Sequence, residues 1–187
     1  ARVVEAVRAS GADACAVCLL FAFESPQHEQ VLGEAMALAM PDLHLSLSCI
    51  VQPEFREFER FSTTVINAYL QPVMAGYVER LAAGIARLAP KAMLGINQSS
   101  GGLMTPRTAQ DLPVRTALSG PAAGAMGAVA VARRVDIPDV ITLDMGGTSA
   151  DVALIRNAEP ALAYQRTVAE FPIRLPMVDI DTVGAGG

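Results

Sequence analysis

The sequence predicts an α/β fold, and three observations carry that reading. Residues 14–51 run apolar strand, helix, strand, the order of a parallel βαβ unit. An apolar run at residues 91–97 ends in the polar, glycine-rich loop Gln98-Ser99-Ser100-Gly101-Gly102. Loops of that kind lie at the carboxyl ends of strands, where open α/β sheets bind ligands. Finally, Val140–Met145 and Ala150–Ile155 are two short apolar runs around a turn of glycines and hydroxyls, which reads as a hairpin.

Taken in order, residues 2–9 read as the end of a helix stopped by Ser10-Gly11. Ala14–Phe23 is expected as one buried strand. Ser25-Pro26 opens a helix, with Ser25 as cap and Pro26 at the first helical position; it runs to about Met40, before Pro41-Asp42. His44–Val51 alternates weakly and reads as a second strand. Pro53–Ala89 is a long helical region with apolar residues recurring at three and four, among them Phe58, Ile66, Tyr69, Val73 and Tyr77. Pro72 should kink or divide it. Glu54, Arg56, Glu57, Glu59 and Arg60 crowd its start, followed by Ser62, Thr63, Thr64 and Asn67. Such a cluster is a solvated helix face or a site, and charge patterning favours the solvated face.

Lys91–Asn97 is the next strand, Thr105–Leu112 a short helix and Val114–Leu118 a short strand. A helix of small residues then runs from Ser119 to Arg134, capped by Ser119 or Gly120 with Pro121 in its first turn. Its Gly and Ala content permits close backbone packing and equally suits an ordinary buried helix. Asp136–Asp139 is a loop. Pro160–Thr167 reads as a strand, and Val178–Val183 leads into Gly184-Ala185-Gly186-Gly187.

With 187 residues, 52% hydrophobic and 18% charged, the chain can bury a sizeable core. A net charge of -5 without a basic run argues against nucleic acid as a partner. No apolar run has the length of a membrane span, and no signal peptide is expected from these residues. Cys15 and Cys18 have CxxC spacing, but within an apolar strand, where residues three apart face opposite sides. They read as small core residues, and reduced thiols without a signal fit the cytoplasm. The missing initiator Met and the glycine-rich last residues lead to the expectation of a fragment of a longer polypeptide.

The hairpin carries the chemistry. Successive amides around Gly146-Gly147 make a concavity that suits an anion, and Thr148 and Ser149 add hydroxyl donors. Asp144 ends the first strand beside them. A carboxylate next to a phosphate cradle calls for a hard cation, usually Mg²⁺. A plain hairpin with turn-forming glycines is the alternative. There is no Gly-Lys-Ser/Thr, and a strand rather than a helix follows the glycines, so this is neither a Walker loop nor a dinucleotide fingerprint.

The order small-residue helix, loop, strand–Asp-x-Gly-Gly-Thr–strand resembles the superfamily of actin, heat-shock chaperones and sugar kinases. More narrowly, six stretches in order resemble the hydantoinase A/5-oxoprolinase family: Leu19–Glu29, residues 54–72, Gln98–Leu103, Ser119–Gly124, Asp144–Asp151, and Asp181-Thr182-Val183-Gly184-Ala185-Gly186-Gly187. Ser100, Phe58 and Ala150 stand where the family usually has Asn, Tyr and Thr. Ala150 thus removes a hydroxyl beside the turn.

The resemblance implies part of an actin-like, ribonuclease H-like ATPase fold. Residues 1–135 would be the end of a first lobe, with the helical region 53–89 and an interlobe helix at 119–134. Residues 136–187 would start a second lobe with the hairpin 140–155. It implies ATP and Mg²⁺ as cofactors, Asp144 as metal-holding and catalytic, and Asp151 as a catalytic support. Gly146, Gly147, Thr148, Ser149, Gly120, Gly184 and Gly186 would contact the nucleotide. Glu59, Arg60, Gln98, Ser99 and Asp181 are weaker candidates for substrate or interlobe contacts. The implied reaction phosphorylates the carbonyl oxygen of a cyclic amide, hydantoin or 5-oxoproline in type, and opens it. ATP-dependent ketone carboxylation and a non-catalytic nucleotide-binding scaffold are the alternatives. A hydantoinase B-type subunit or domain is the implied partner.

Overall fold

The structure is a computed structural model, which describes residues 2–168 and 170–185. Its elements begin with α1 (Arg2–Ser10), β1 (Ala14–Val17), α2 (Gln27–Ala39), β2 (His44–Leu47), α3 (Ser48–Val51) and α4 (Glu57–Leu88). Next come β3 (Ile96–Asn97), β4 (Leu103–Met104), α5 (Pro106–Asp111), a 3₁₀ turn (Pro113–Thr116) and α6 (Ser119–Arg134). The hairpin is β5 (Val140–Met145) and β6 (Ala150–Arg156), followed by β7 (Glu159–Pro160) and β8 (Leu162–Ala163). The last strands are β9 (Arg166–Val168), β10 (Phe171–Ile173), β11 (Met177–Val178) and β12 (Ile180–Val183). The chain forms two compact units. One comprises Ala1–Leu94, Pro106–Val114 and Arg166–Arg174; the other comprises Gly95–Thr105, Arg115–Gln165 and Leu175–Gly187.

The first unit holds the expected βαβ unit. β1 and β2 pair in parallel from Ala14↔His44 to Val17↔Leu47. Val4, Val17 and Met36 form its apolar centre. Both strands are shorter than their apolar runs suggest, and one side chain accounts for both stops. The buried carboxylate of Glu29 accepts hydrogen bonds from the Leu19 amide (2.7 Å), the Ser48 hydroxyl (2.7 Å) and the Cys49 amide (2.8 Å). Backbone donors taken by a side chain are lost to a sheet ladder. Phe21, at φ 57°, turns the chain immediately after β1. α2 starts one residue late: Pro26 holds the cap position, and Ser25 makes no side-chain cap bond there.

α4 departs from expectation in two ways. It is one helix of 32 residues that runs through Pro72 undivided. A proline removes one intrahelical bond, but Gln71 in the adjoining turn is anchored to Leu45 O (3.3 Å) and Asp111 O (3.0 Å). The larger departure is polarity. The buried residues of α4 include Arg60, Thr63, Thr64, Asn67 and Gln71, whereas Phe58, Val65, Tyr69, Val73 and Tyr77 are exposed. The charged start is therefore not a solvated face. Arg60 is fully buried and donates to Ser48 Oγ (3.0 Å), Leu19 O (3.0 Å) and Glu57 Oε1 (2.7 Å), with Phe23 and Phe61 rings against its guanidinium. Asn67 donates to Ser46 Oγ (2.9 Å) and Asp111 O (3.0 Å) and accepts from the Val114 amide (3.2 Å). Thr63 accepts from the Arg174 amide (3.0 Å), and the Arg174 side chain pairs with Glu54 (2.9 Å). The inward face thus serves the backbone of irregular segments, whose polar groups must find partners once buried.

In the second unit β5, β6 and β12 form an antiparallel sheet in the order β12–β6–β5, with β7 also on β6. Ala122 and Ala125 of α6 pack onto Ala153, Val178 and Ile180, so the small residues of α6 do seat against the sheet. α6 is grouped with the hairpin, and Arg166–Arg174 with the first unit. Three expected strands shrink. Lys91–Asn97 keeps only Ile96–Asn97, Val114–Leu118 is replaced by the 3₁₀ turn Pro113–Thr116 and by Leu118 at φ 58° before α6, and Pro160–Thr167 is divided among β7, β8 and β9.

Candidate functional site

The hairpin is regular from Val140↔Ile155 to Met145↔Ala150. It closes on one short bond, from the Gly146 amide to Ser149 O (2.8 Å). Residues 144–148, the turn and the end of β5, are exposed. Asp144 lies directly across the ladder from Asp151, which itself lies across from Thr182 of β12. Thr182 donates its hydroxyl to Asp151 Oδ1 at 2.6 Å, which fixes that carboxylate. Like charges directly opposed on a sheet repel, so a cation beside Asp144 and Asp151 would be favourable.

α6 passes beside this pair. A Cβ built on Gly124 would stand 3.8 Å from Asp144 Oδ2. Between α6 and β5 lies a cleft of about 530 Å³, lined among others by Pro121, Gly124, Ala128, Thr142, Asp144 and Asp151. Its walls are largely apolar, with the two carboxylates at one place, a combination common in small-molecule sites.

The glycines of the turn do not act as expected. Among the described residues the glycines at left-handed φ are Gly11, Gly101 and Gly102; Gly146 and Gly147 are not among them. A Cβ on Gly146 would make an ordinary 3.6 Å contact with Ser149 O, and one on Gly147 would meet nothing within 4 Å. The backbone does not require glycine at these positions. What glycine leaves there is free space over the turn.

Gly120 stands in the first turn of α6 with nothing within 4 Å of a built Cβ. The helix is capped by neither Ser119 nor Gly120, because Leu118 occupies the cap position without a side-chain bond. Gly184 follows Val183, which lies across from Ala150 at the start of β6. Gly186 lies outside the described residues. Ala150 is buried. Arg60 and Ser99 have no free surface: Ser99 is buried and donates its hydroxyl to Arg115 O (2.6 Å), while the Val178 amide donates to Ser99 O (2.7 Å). Glu59 pairs with Arg56 (3.2 Å), and Asp181 is exposed on β12.

Two contributors escaped the sequence reading. Gly124 matters for its closeness to Asp144, a tertiary relation without local signal. Gly101, at φ 81°, holds the loop after β3 against α6: a Cβ there would lie 2.8 Å from Met126 Cγ and Sδ. Its signal was available in the Gly101-Gly102 pair after an apolar run.

No group of three or more His, Cys, Asp or Glu side chains able to hold a metal occurs among the described residues. A divalent ion here would draw on one or two carboxylates, with the rest of its shell from water and phosphate. That is the habit of Mg²⁺, and the Asp144–Asp151 pair fits it. No helix among the described residues is long and apolar enough to cross a membrane.

The sequence pattern of the Hydantoinase/oxoprolinase family matches residues 60–187. The chain is similar to caprolactamase subunit alpha of Pseudomonas jessenii, 34% identical over 98% of this chain and 26% of that one. It is similar to the 5-oxoprolinase of Saccharomyces cerevisiae, 33% identical over 99% of this chain and 14% of that one. It is also similar to the acetophenone carboxylase gamma subunit of Aromatoleum aromaticum, 30% identical over 95% of this chain and 25% of that one. The chain thus spans about a quarter or less of these relatives' length. Among solved structures, the ATP-dependent caprolactamase from Pseudomonas jessenii superposes with a TM-score of 0.84 at 31% identity, over 100% of this chain and 27% of that one. A nucleotide-free acetone carboxylase superposes with a TM-score of 0.80 at 23% identity, over 99% of this chain and 26% of that one, a likeness of fold.

Proposed function

Since this chain belongs to the hydantoinase/oxoprolinase family, we propose that it forms part of the ATP site of a cyclic amidase that phosphorylates the carbonyl oxygen of a hydantoin- or 5-oxoproline-type substrate. The observation that carries the reading is the open Gly146–Ser149 turn beside the Asp144–Asp151 pair, at a cleft walled by α6. The fold assigned is actin-like, with 119–134 as the interlobe helix and the second lobe beginning near residue 136.

An amide carbonyl carbon resists water because nitrogen donates into it and the oxygen is a poor leaving group. Phosphate on that oxygen removes both obstacles. Such transfers depend on positioning and charge neutralisation more than on covalent help from the protein. The amides around Gly146 and Gly147 and the hydroxyls of Thr148 and Ser149 would cradle phosphates, with the free space over Gly147 admitting the oxygens. Asp144 would hold Mg²⁺, and Asp151, fixed by Thr182, would support it. When bound, the ion supplies charge neutralisation on the phosphates. Gly120 and Gly184 flank the nucleotide in this reading. The second subunit would be of the hydantoinase B type, and the compartment the cytoplasm.

Identities of 34% and 33% to relatives named for lactams support the amide reading. The identities of 30% and 26% to acetophenone and acetone carboxylase subunits keep ATP-dependent ketone carboxylation as the second reading. The test is Asp144→Asn in the full-length protein. It should lower ATP turnover by at least a hundredfold while the fold persists, because an amide of the same shape cannot balance the metal's charge. Near-normal turnover would remove Asp144 from the site.

A further inference from the structure

Gly124 is the residue of α6 whose identity the fold leaves unexplained. Glycine is less favourable than alanine in a helix interior. Alanine is small enough for the packing of α6, whose buried residues include Ala122, Ala125 and Ala132. No positive φ calls for glycine at 124. Crowding does not call for it either, because a Cβ there would make an ordinary contact. The helix has three glycines, Gly120, Gly124 and Gly127. A Cβ on Gly120 or Gly127 would meet nothing within 4 Å, whereas one on Gly124 would meet Asp144 Oδ2 at 3.8 Å. Along the wall that α6 gives the cleft, Pro121, Ala125, Ala128, Val131 and Ala132 carry side chains, and Gly124 does not.

We propose that Gly124 is a positioning residue for the metal: its missing Cβ keeps the α6 side of Asp144 Oδ2 open to a water of the Mg²⁺ shell. The inference rests on the proposed function, which places Mg²⁺ at Asp144. Mg²⁺ gives up water reluctantly and keeps several waters beside one or two carboxylates and the phosphates. Asp144 and Asp151 oppose each other on the ladder, and Gly124 lines the same cleft from α6. A shell built on that pair reaches into the space between strand and helix. A water donating to Oδ2 sits about 2.8 Å from it and stays roughly 3.3 Å from carbon. With those distances, a methyl 3.8 Å from the oxygen shuts out water within about 60° of its own direction. The carboxylate need not move, since 3.8 Å is no clash. An alanine would thus leave helix and ladder intact and remove a water site.

Helix flexibility is the competing reason for a glycine. Gly127, three residues on and equally interior, would share that role. The approach to Asp144 is particular to Gly124 among the glycines of α6.

The experiment compares Gly124→Ala with Gly127→Ala in the full-length protein. Calorimetry follows ATP binding in Mg²⁺ and again in EDTA, and circular dichroism gives Tm. Both variants should melt at or above the unmodified protein, because alanine is the better helix former. Gly124→Ala should bind ATP at least tenfold more weakly in Mg²⁺ and equally well in EDTA. Gly127→Ala should match the unmodified protein in both. An equal loss in EDTA would put the nucleotide itself against Gly124. An equal loss in Gly127→Ala would assign the glycines to helix bending. A lower Tm for Gly124→Ala alone would make it a packing residue. Each of these overturns the proposal, as does unchanged affinity in Mg²⁺. Asp144→Asn separates this inference from the reading beneath it. In that background Gly124→Ala should cost no further affinity in Mg²⁺, and an additive loss overturns the proposal. If Asp144→Asn alone leaves ATP binding in Mg²⁺ unchanged, both readings fall. If it weakens binding and Gly124→Ala does not, only the role of Gly124 falls.

Discussion

Asn67→Leu tests the inverted polarity of α4 most directly. Leucine has asparagine's γ-branched shape, is somewhat larger and is the better helix former, so an ordinary amphipathic helix would tolerate or welcome it. Here Asn67 is fully buried and makes three hydrogen bonds, to Ser46 Oγ, to Asp111 O and from the Val114 amide. Two of those partners keep Gln71, which accepts from Ser46 and donates to Asp111 O. Their loss costs about 0.5–1 kcal/mol each. The Val114 amide, in a fully buried residue, loses its acceptor and carries the larger desolvation cost of about 1–3 kcal/mol. The total is about 2–5 kcal/mol, or roughly 4–20 °C in Tm for a chain of this size. Urea unfolding followed by far-UV circular dichroism measures it, with the outward change Val65→Ala as control, expected within about 0.5 kcal/mol. A loss below about 1 kcal/mol for Asn67→Leu, or a larger one for Val65→Ala, would refute the inverted helix.

Gly147→Val should leave Tm within about 2 °C, since its side chain meets open space at an unstrained φ; calorimetric ATP affinity of the full-length protein should fall at least tenfold, and unchanged affinity would exclude the phosphate cradle. On the proposed two-lobed reading, the isolated 187-residue chain, which spans about a quarter or less of its relatives' length, should bind ATP no tighter than roughly millimolar, about 4 kcal/mol; micromolar binding by calorimetry would refute that reading. Burial pushes the Cys18 and Cys49 thiols up to about 11, with the Glu29 carboxylate adding to the shift. The folded state therefore holds those protons more tightly than the unfolded one, whose thiols titrate near 9.0. Their stabilising contribution is complete below pH 9 and is lost as pH rises towards 11. Urea midpoints at pH 8 and pH 10.5 should show a decline that is smaller in Cys18→Ala/Cys49→Ala; an equal decline in both proteins would contradict it.

The elements that could be read from sequence are those with local causes. The βαβ order came from contiguous apolar runs, and the hairpin from two such runs about Gly146-Gly147. The small-residue helix was legible from composition, although its capping was not. What escaped was set by distant partners. Nothing local in Leu19–Phe23 says that Glu29 will take the Leu19 amide and Glu57 the Phe21 amide. The polar residues of α4 looked solvated because polar groups usually are; burial became possible only because Asp111, Val114, Leu19 and Arg174 bring backbone groups to meet them. At the candidate site, Asp144 and the turn residues stood in one short stretch. Gly124 and Thr182 are related to them only through the packing of α6 and the register of β12. The turn glycines do stand in the hairpin turn, but neither has the left-handed φ that would call for glycine.

The interleaving of the two compact units bears on how the chain is made. Arg174 closes the first unit by clamping Glu54 and Thr63 and lying over Phe55. On the ribosome, Leu94 leaves the tunnel roughly 80 residues before Arg174, a delay of about 4–16 s at ordinary elongation rates. For that interval the βαβ unit and α4 exist without Asn67's partner at Val114 and then without Arg174, with the buried polar face of α4 still seeking its backbone. The first unit cannot reach its final state in the order in which it is synthesised. A nascent chain stalled before residue 106 should thus recruit chaperones, and one stalled well past 174 should not.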